Sequence, residues 1–174
     1  MARPSNALAE PAILVVMGVS GCGKSTVGQA LAQTLHCEFS EGDQFHPPEN
    51  VAKMAAGTPL TDNDRWGWLQ TLSARMAQSR AQGTSLVLSC SALRRTYRDI
   101  LRAGAPDAWF VHLHGDAAVL QQRMSRRPGH YMPPSLLQSQ LDTLEMPQAD
   151  ERVVSLDIET PLTEMVSRVV QVLR

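Results

Sequence analysis

Aromatic residues make up only 5% of this 174-residue chain, and its formal net charge is −1. A nucleic-acid surface needs clustered cations interleaved with stacking rings, and no such stripe is present. So small a charge gives no overall field toward an anionic membrane either, so an anionic partner must be met by local clusters of cations. The three cysteines, Cys22, Cys37 and Cys90, form no CxxC pair and no Cys/His set at zinc-finger spacing. That argues against a disulfide framework and for reduced thiols in the cytoplasm. Long hydrophobic runs are missing as well. The first apolar run, AILVVM at 12–17, is too short for a signal-peptide core or a membrane span. No internal repeat or low-complexity tract interrupts the chain.

What is present suits one compact domain over residues 12–174, preceded by a flexible tail at 1–11 (MARPSNALAEP). Short apolar runs at 12–17, 86–90, 109–113 and 153–158, with a weaker one at 37–40, have the character of strands buried on both faces of a parallel sheet. Between them lie helical patterns. Val27, Leu31 and Leu35 recur at i, i+4 and i+8, and Leu162, Met165, Val166, Val169, Val170 and Leu173 line one face of a last helix, with Pro161 suited to its first turn. The alternation predicts an α/β three-layer sandwich: a mainly parallel five-stranded sheet with helices on both faces and right-handed crossovers. Two segments break the rhythm. Residues 43–67, rich in Pro, Asp and Asn, predict short helical pieces on loops, and 123–134 (RMSRRPGHYMPP) predict a mobile lid.

GVSGCGKST at 18–26 fits GxxxxGK[ST] through Gly18, Gly23, Lys24 and Ser25, in the strand-then-helix context the motif requires. Its glycines let successive N–H groups of Gly18, Val19, Ser20, Gly21, Cys22 and Gly23 turn toward phosphate oxygens, and the helix start adds partial positive charge. Lys24 would reach the outer phosphates, the Ser25 hydroxyl would hold Mg²⁺, and Thr26 adds a further hydrogen bond. Cys22 lies where a helix N-terminus favours thiolate, which makes oxidation a second expectation.

Nucleotide binding alone leaves switch, motor and kinase open. The strand SLVLSC ends in Ser89-Cys90 rather than the Asp-Glu of a hydrolytic motor, and no NKxD for guanine is found. Acids follow the second strand at Glu41 and Asp43. Cations gather near predicted loops at Lys53, Arg65, Arg94, Arg95, Arg98, Arg123, Arg126 and Arg127, as a small anionic substrate beside ATP would demand, although any one could be solvated surface. Asp43 could equally cap the HPPEN segment, His46 could pack a loop, and Ser91 could cap the following helix. Trp66 and Trp68 could wall a pocket, with at least one in the core.

With GVSGCGKST, EGDQFHPPENVAKMAAGTPLTDNDRWGWL, CSALRRTYRDILR and RMSRRPGHYMPPSLLQSQLDTLE in order, the chain resembles the gluconate kinases (gluconokinases), small P-loop kinases related to shikimate kinase. The resemblance runs from about residue 12 to the C-terminus. It implies a P-loop kinase sandwich that uses ATP and Mg²⁺ to phosphorylate D-gluconate at its 6-hydroxyl, in the cytoplasm and as a homodimer, with no nucleic-acid or membrane partner. It implies Asp43 at the accepting hydroxyl. His46, Lys53, Arg65 and Arg98 would lie near the sugar acid, and Ser91 can meet the sugar chain. Arg123 and Arg127 would close over ATP, with Arg127 joining Lys24 and Asp43 in catalysis. Glu41 stands where Asp is common, and Cys22 where Ser or Ala is usual. Another small hydroxy acid such as shikimate, or a scaffold that binds nucleotide without transfer, stays open.

Overall fold

The computed structural model describes residues 8, 10–126 and 134–174; the tail expected at 1–11 lies mostly outside them. Five strands form one sheet in the order β2-β3-β1-β4-β5, and every pairing is parallel. β1 (Ile13–Met17) runs up the centre, with all five residues buried between β3 (Leu86–Ser89) and β4 (Trp109–His114). A strand covered on both faces needs apolar residues at every position rather than alternate ones, which is why AILVVM reads as a continuous run. β2 (Glu38–Glu41) is an edge strand and only half-covered, which accounts for its weaker signal. β5 (Val153–Asp157) closes the other edge.

Helix α1 (Lys24–Leu35) follows β1 and buries Val27, Leu31 and Leu35, the predicted stripe. It packs against α7 (Leu162–Leu173), while α3 (Asp62–Gln82) packs against α4 (Arg95–Gly104). Right-handed crossovers put these pairs on opposite faces, because the chain moves from β1 toward β2 and then back from β2 toward β4. The reversal opens a crevice beyond the carboxyl ends of β1 and β3, where ligands bind in such sheets. Segment 43–67 holds a 3₁₀ turn (Gly42–Phe45), α2 (Pro48–Ala55) and the first turn of α3, as its composition predicts. α3 itself runs on for 21 residues from a capping box in which Thr61 and Asp64 exchange hydrogen bonds. α5 (Ala117–Ser125) and α6 (Pro134–Thr143) flank the segment predicted to be a lid, most of which lies outside the described residues.

One buried base has no partner to offset its burial. His112 on β4 is fully buried, and neither ring nitrogen meets a hydrogen-bond partner among the described residues. Burial, with smaller contributions from His114 and Arg98, pulls its pKa from 6.5 down to about 4. The unfolded chain therefore binds more protons between those values, so stability falls as pH drops through that window. The loss at pH 4 is expected to reach about 3 kcal/mol, at 1.36 kcal/mol per pKa unit. Urea melts from pH 7 to pH 4 should show this slope, and His112→Phe should flatten it.

Candidate active site

The loop after β1 is shaped by close approach. A Cβ on Gly18, whose φ is +146°, would stand 2.6 Å from the Leu113 carbonyl oxygen and 2.7 Å from the Cys22 sulfur. α1 then starts at Lys24 with no side-chain cap, so its first N–H groups remain open to an anion. The Lys24 ammonium donates to the carbonyls of Gly18 (3.0 Å) and Val19 (3.2 Å). The Ser20 N–H donates to Oε1 of Gln140, at 2.7 Å. Cys22 is only 2% exposed, which sets its sulfur back from solvent oxidants.

The end of β2 is fastened to the loop by Glu41. Its carboxylate accepts from the Ser25 hydroxyl (2.6 Å) and from the Ser89 hydroxyl (2.7 Å). The Ser89 oxygen in turn accepts from the Gly42 N–H at 3.1 Å. Only glycine fits at 42, because a Cβ there would lie 1.9 Å from the Ser89 carbonyl oxygen. The 3₁₀ turn follows at once and carries Asp43 out, its side chain 69% exposed. Below it, His46 stacks on Trp68 with ring centroids 3.9 Å apart. Burial of the ring holds the His46 pKa below the ordinary histidine value, outweighing the pull of Asp43. The Trp68 indole donates to the Gly42 carbonyl at 2.8 Å, so one side chain is both core and floor.

These elements enclose one cleft, with about 630 Å³ of empty space including its mouth. Ser20, Lys24, Asp43, His46, Arg65 and Ser91 all line it. The phosphate loop and the acid at 43 thus face a common space. Arg65 donates to the Tyr97 hydroxyl and lies over that ring, 5.1 Å from its centroid. Trp66 packs edge-on against the same ring.

Other expected residues stand elsewhere. Lys53 is bound to Asp64 at 2.8 Å, tying α2 to the cap of α3, and does not line the cleft. Arg98 is fully buried: it pairs through two nitrogens with Glu151 (2.7 and 3.2 Å) and donates to the carbonyls of Ala92 and Leu93. Its expected place beside substrate is corrected to a structural one, because a fork with every arm engaged and no exposed surface has nothing left to offer. Arg123 donates to the Ile158 carbonyl (2.9 Å), away from the cleft lining. Arg127 lies outside the described residues.

Two cleft-side residues escaped the sequence reading. Asn50 on α2, buried at 3% exposure, bonds both His46 Nδ1 (3.2 Å) and the Asp64 carbonyl (2.8 Å). Gln140 reaches the loop from 120 residues away. A contact across such a separation leaves no periodicity or spacing to read. Among the described residues no group of three or more His, Cys, Asp or Glu could hold a metal ion by itself. The Ser25 hydroxyl with the Glu41 carboxylate behind it does fit Mg²⁺, an ion that takes a few protein oxygens and completes its shell with phosphates and water.

Fold and cleft together define a P-loop kinase, with a phosphate cradle on one side of the switch-point crevice and an acid on the other. The shikimate kinase family matches over residues 20–173. A gluconokinase from Gluconobacter oxydans is 49% identical over 150 residues, covering 86% of this chain and 84% of that one. The thermoresistant gluconokinase of Escherichia coli is 44% identical over 164 residues, covering 93% of each. The crystal structure of a gluconokinase from Sinorhizobium meliloti superposes with a TM-score of 0.85 at 52% identity, covering 94% of this chain and 91% of that one. The chain belongs to the gluconokinases of the shikimate kinase family.

The placement of Arg98 can be tested by stability alone. Arg98→Met leaves Glu151 buried beside Arg102 without its main partner, and is expected to cost about 3–5 kcal/mol in urea unfolding. Arg98→Met with Glu151→Leu should recover most of that loss.

Proposed function

We propose that this chain transfers the γ-phosphoryl group of ATP to the 6-hydroxyl of D-gluconate, giving 6-phosphogluconate and ADP in carbohydrate-acid catabolism. The observation that carries the reading is the shared cleft: the loop's Lys24 and Ser20, the open carboxylate of Asp43 and the guanidinium of Arg65 line one space. Supporting it, the relatives named gluconokinase match over most of the chain.

Phosphoryl transfer is mainly positioning and electrostatic stabilisation, since the transition state spreads charge over the equatorial oxygens. The open N–H groups at the start of α1 and the Lys24 ammonium would hold the phosphates, with Lys24 leaving the carbonyls of Gly18 and Val19 to reach them. Bound Mg²⁺, held by Ser25 with Glu41 behind it, would neutralise phosphate charge. Asp43 would orient the hydroxyl and accept its proton as the bond to phosphorus forms. Its exposed carboxylate suits this work; His46, 3.9 Å away and buried, would position it. Arg65 has a neutral phenol for a hydrogen-bond partner, so its charge is free to pair with the gluconate carboxylate. Ser91 would meet the sugar hydroxyls. Arg127, with Arg123 once released from Ile158, would close over ATP as part of the lid at 123–134. A cytoplasmic location and a homodimer belong to the same proposal; no described helix is long and apolar enough to cross a membrane.

Coupled ADP-release assays across gluconate, other aldonates and shikimate decide the acceptor; turnover with shikimate and none with gluconate would overturn the reading. Asp43→Asn is expected to keep ATP affinity and lower kcat about 10²–10⁴-fold. Lys24→Ala should impair both, and an active Asp43→Asn enzyme would remove the base.

A further inference from the structure

Ser20 is the third residue of the phosphate loop and lines the cleft together with Asp43. Its N–H is already engaged by the Gln140 carboxamide oxygen at 2.7 Å, across the cleft from α6. This is not a loose surface contact, because Leu136 and Ser139 of the same helix also line the cleft. The chain just beyond α6 is anchored as well: the Glu145 N–H donates to the Leu93 carbonyl (2.7 Å), and the Glu145 carboxylate accepts from the Arg95 N–H (3.0 Å). With the helix pinned, Gln140 can leave Ser20 by turning its own side chain.

A peptide N–H carries one proton. On the proposed function, the inner phosphates would take the uncapped amides at the start of α1. The phosphoryl group that moves would then lie between the loop and Asp43, in the cleft that Ser20 also lines. We propose that Gln140 is a specificity-determining residue that occupies the Ser20 N–H until the terminal phosphoryl group of a nucleoside triphosphate displaces it. A phosphate oxygen makes a charge-assisted bond about twice as strong as a neutral amide's, so the triphosphate wins this exchange, yet its affinity is lowered by the bond it breaks. A diphosphate, lacking that terminal group, would meet no such competition.

The inference rests on the nucleotide-binding half of the proposed function, and nucleotide affinity is read without any acceptor. Calorimetry with excess Mg²⁺ would compare a non-hydrolysable ATP analogue with ADP. Gln140→Met, close in shape but unable to accept from the amide, should bind the ATP analogue about 3- to 10-fold tighter, the worth of one net hydrogen bond, with ADP unchanged. Gln140→Glu keeps an acceptor and adds negative charge, so it should weaken the analogue at least about 10-fold and ADP far less. Unchanged or weaker analogue binding by Gln140→Met, or equal shifts for both nucleotides, would overturn the proposal. Should Gln140→Met fail to fold, undiminished analogue binding by Gln140→Glu would overturn it alone. Wild-type protein that binds nucleotide without phosphorylating gluconate refutes the acceptor and leaves this comparison standing; protein that binds neither nucleotide refutes both.

Discussion

The Glu41 carboxylate ties the ends of β2 and β3, already paired in the sheet, to the head of α1. One oxygen takes the hydroxyl of Ser25, at the head of α1 after β1, and the other takes Ser89, at the end of β3. Each bond to an ionised group contributes roughly 1.5–3 kcal/mol, more than a neutral one. Ser89 passes the constraint on by accepting from the Gly42 N–H, and Gly42 packs so closely on β3 that the chain must leave at one place. Asp43 is the next residue. The separation between phosphate loop and acid is therefore set by a bonded path of four residues, not by the rigidity of a loop.

The arginines divide by what neutralises them. Arg95 is held by Asp150, Arg102 by Asp99 and Glu151, Arg75 by Glu38 and Arg80 by Asp107. Glu151, gripped by Arg98 and Arg102, titrates near 2 despite its burial. Of these, the pairs of Arg95 with Asp150 and of Arg98 and Arg102 with Glu151 fasten the segment after α6 to α4, which in turn fixes the helix bearing Gln140. Arg65 differs in kind: its hydrogen bond is to a phenol, and that phenol donates onward to Asp62. The guanidinium is thus oriented without direct contact to a carboxylate. Among the described residues, Arg75, Arg80, Arg95, Arg98 and Arg102 are committed to carboxylates, whereas Arg65 at the cleft meets a neutral group.

This division explains what the sequence could and could not disclose. The strands, the P-loop and the helices with an apolar stripe were legible because each is a local pattern with a fixed period. The edge strand was faint because half its surface is wet. α3 went unmarked because its 21 residues carry few apolar positions beyond Trp68, Leu69, Leu72 and Met76. Among the expected site residues, Ser20, Lys24, Asp43, His46, Arg65 and Ser91 line one cleft. Arg98 and Lys53 do not, and nothing in composition separates a cation bound to a buried acid from one facing a cleft. That distinction belongs to the partner, and the partners, Glu151 and Asp64, lie 53 and 11 residues away.

The floor of the cleft shows how a buried polar chain can fix the tautomer of one ring. The Asn50 amide nitrogen must donate to the Asp64 carbonyl, and this fixes which end of the amide faces His46. Its second hydrogen then points at Nδ1, so that nitrogen accepts and the ring proton resides on Nε2, the atom facing Asp43. Stacking on Trp68 and burial keep the ring neutral. At 3.9 Å from the Asp43 carboxylate this N–H is outside hydrogen-bond distance, and it presents a neutral donor rather than a charge to that side of the cleft. A cationic ring there would pair with Asp43 and draw its carboxylate down from the open cleft; the Trp68 floor, by keeping the ring neutral, leaves that carboxylate exposed.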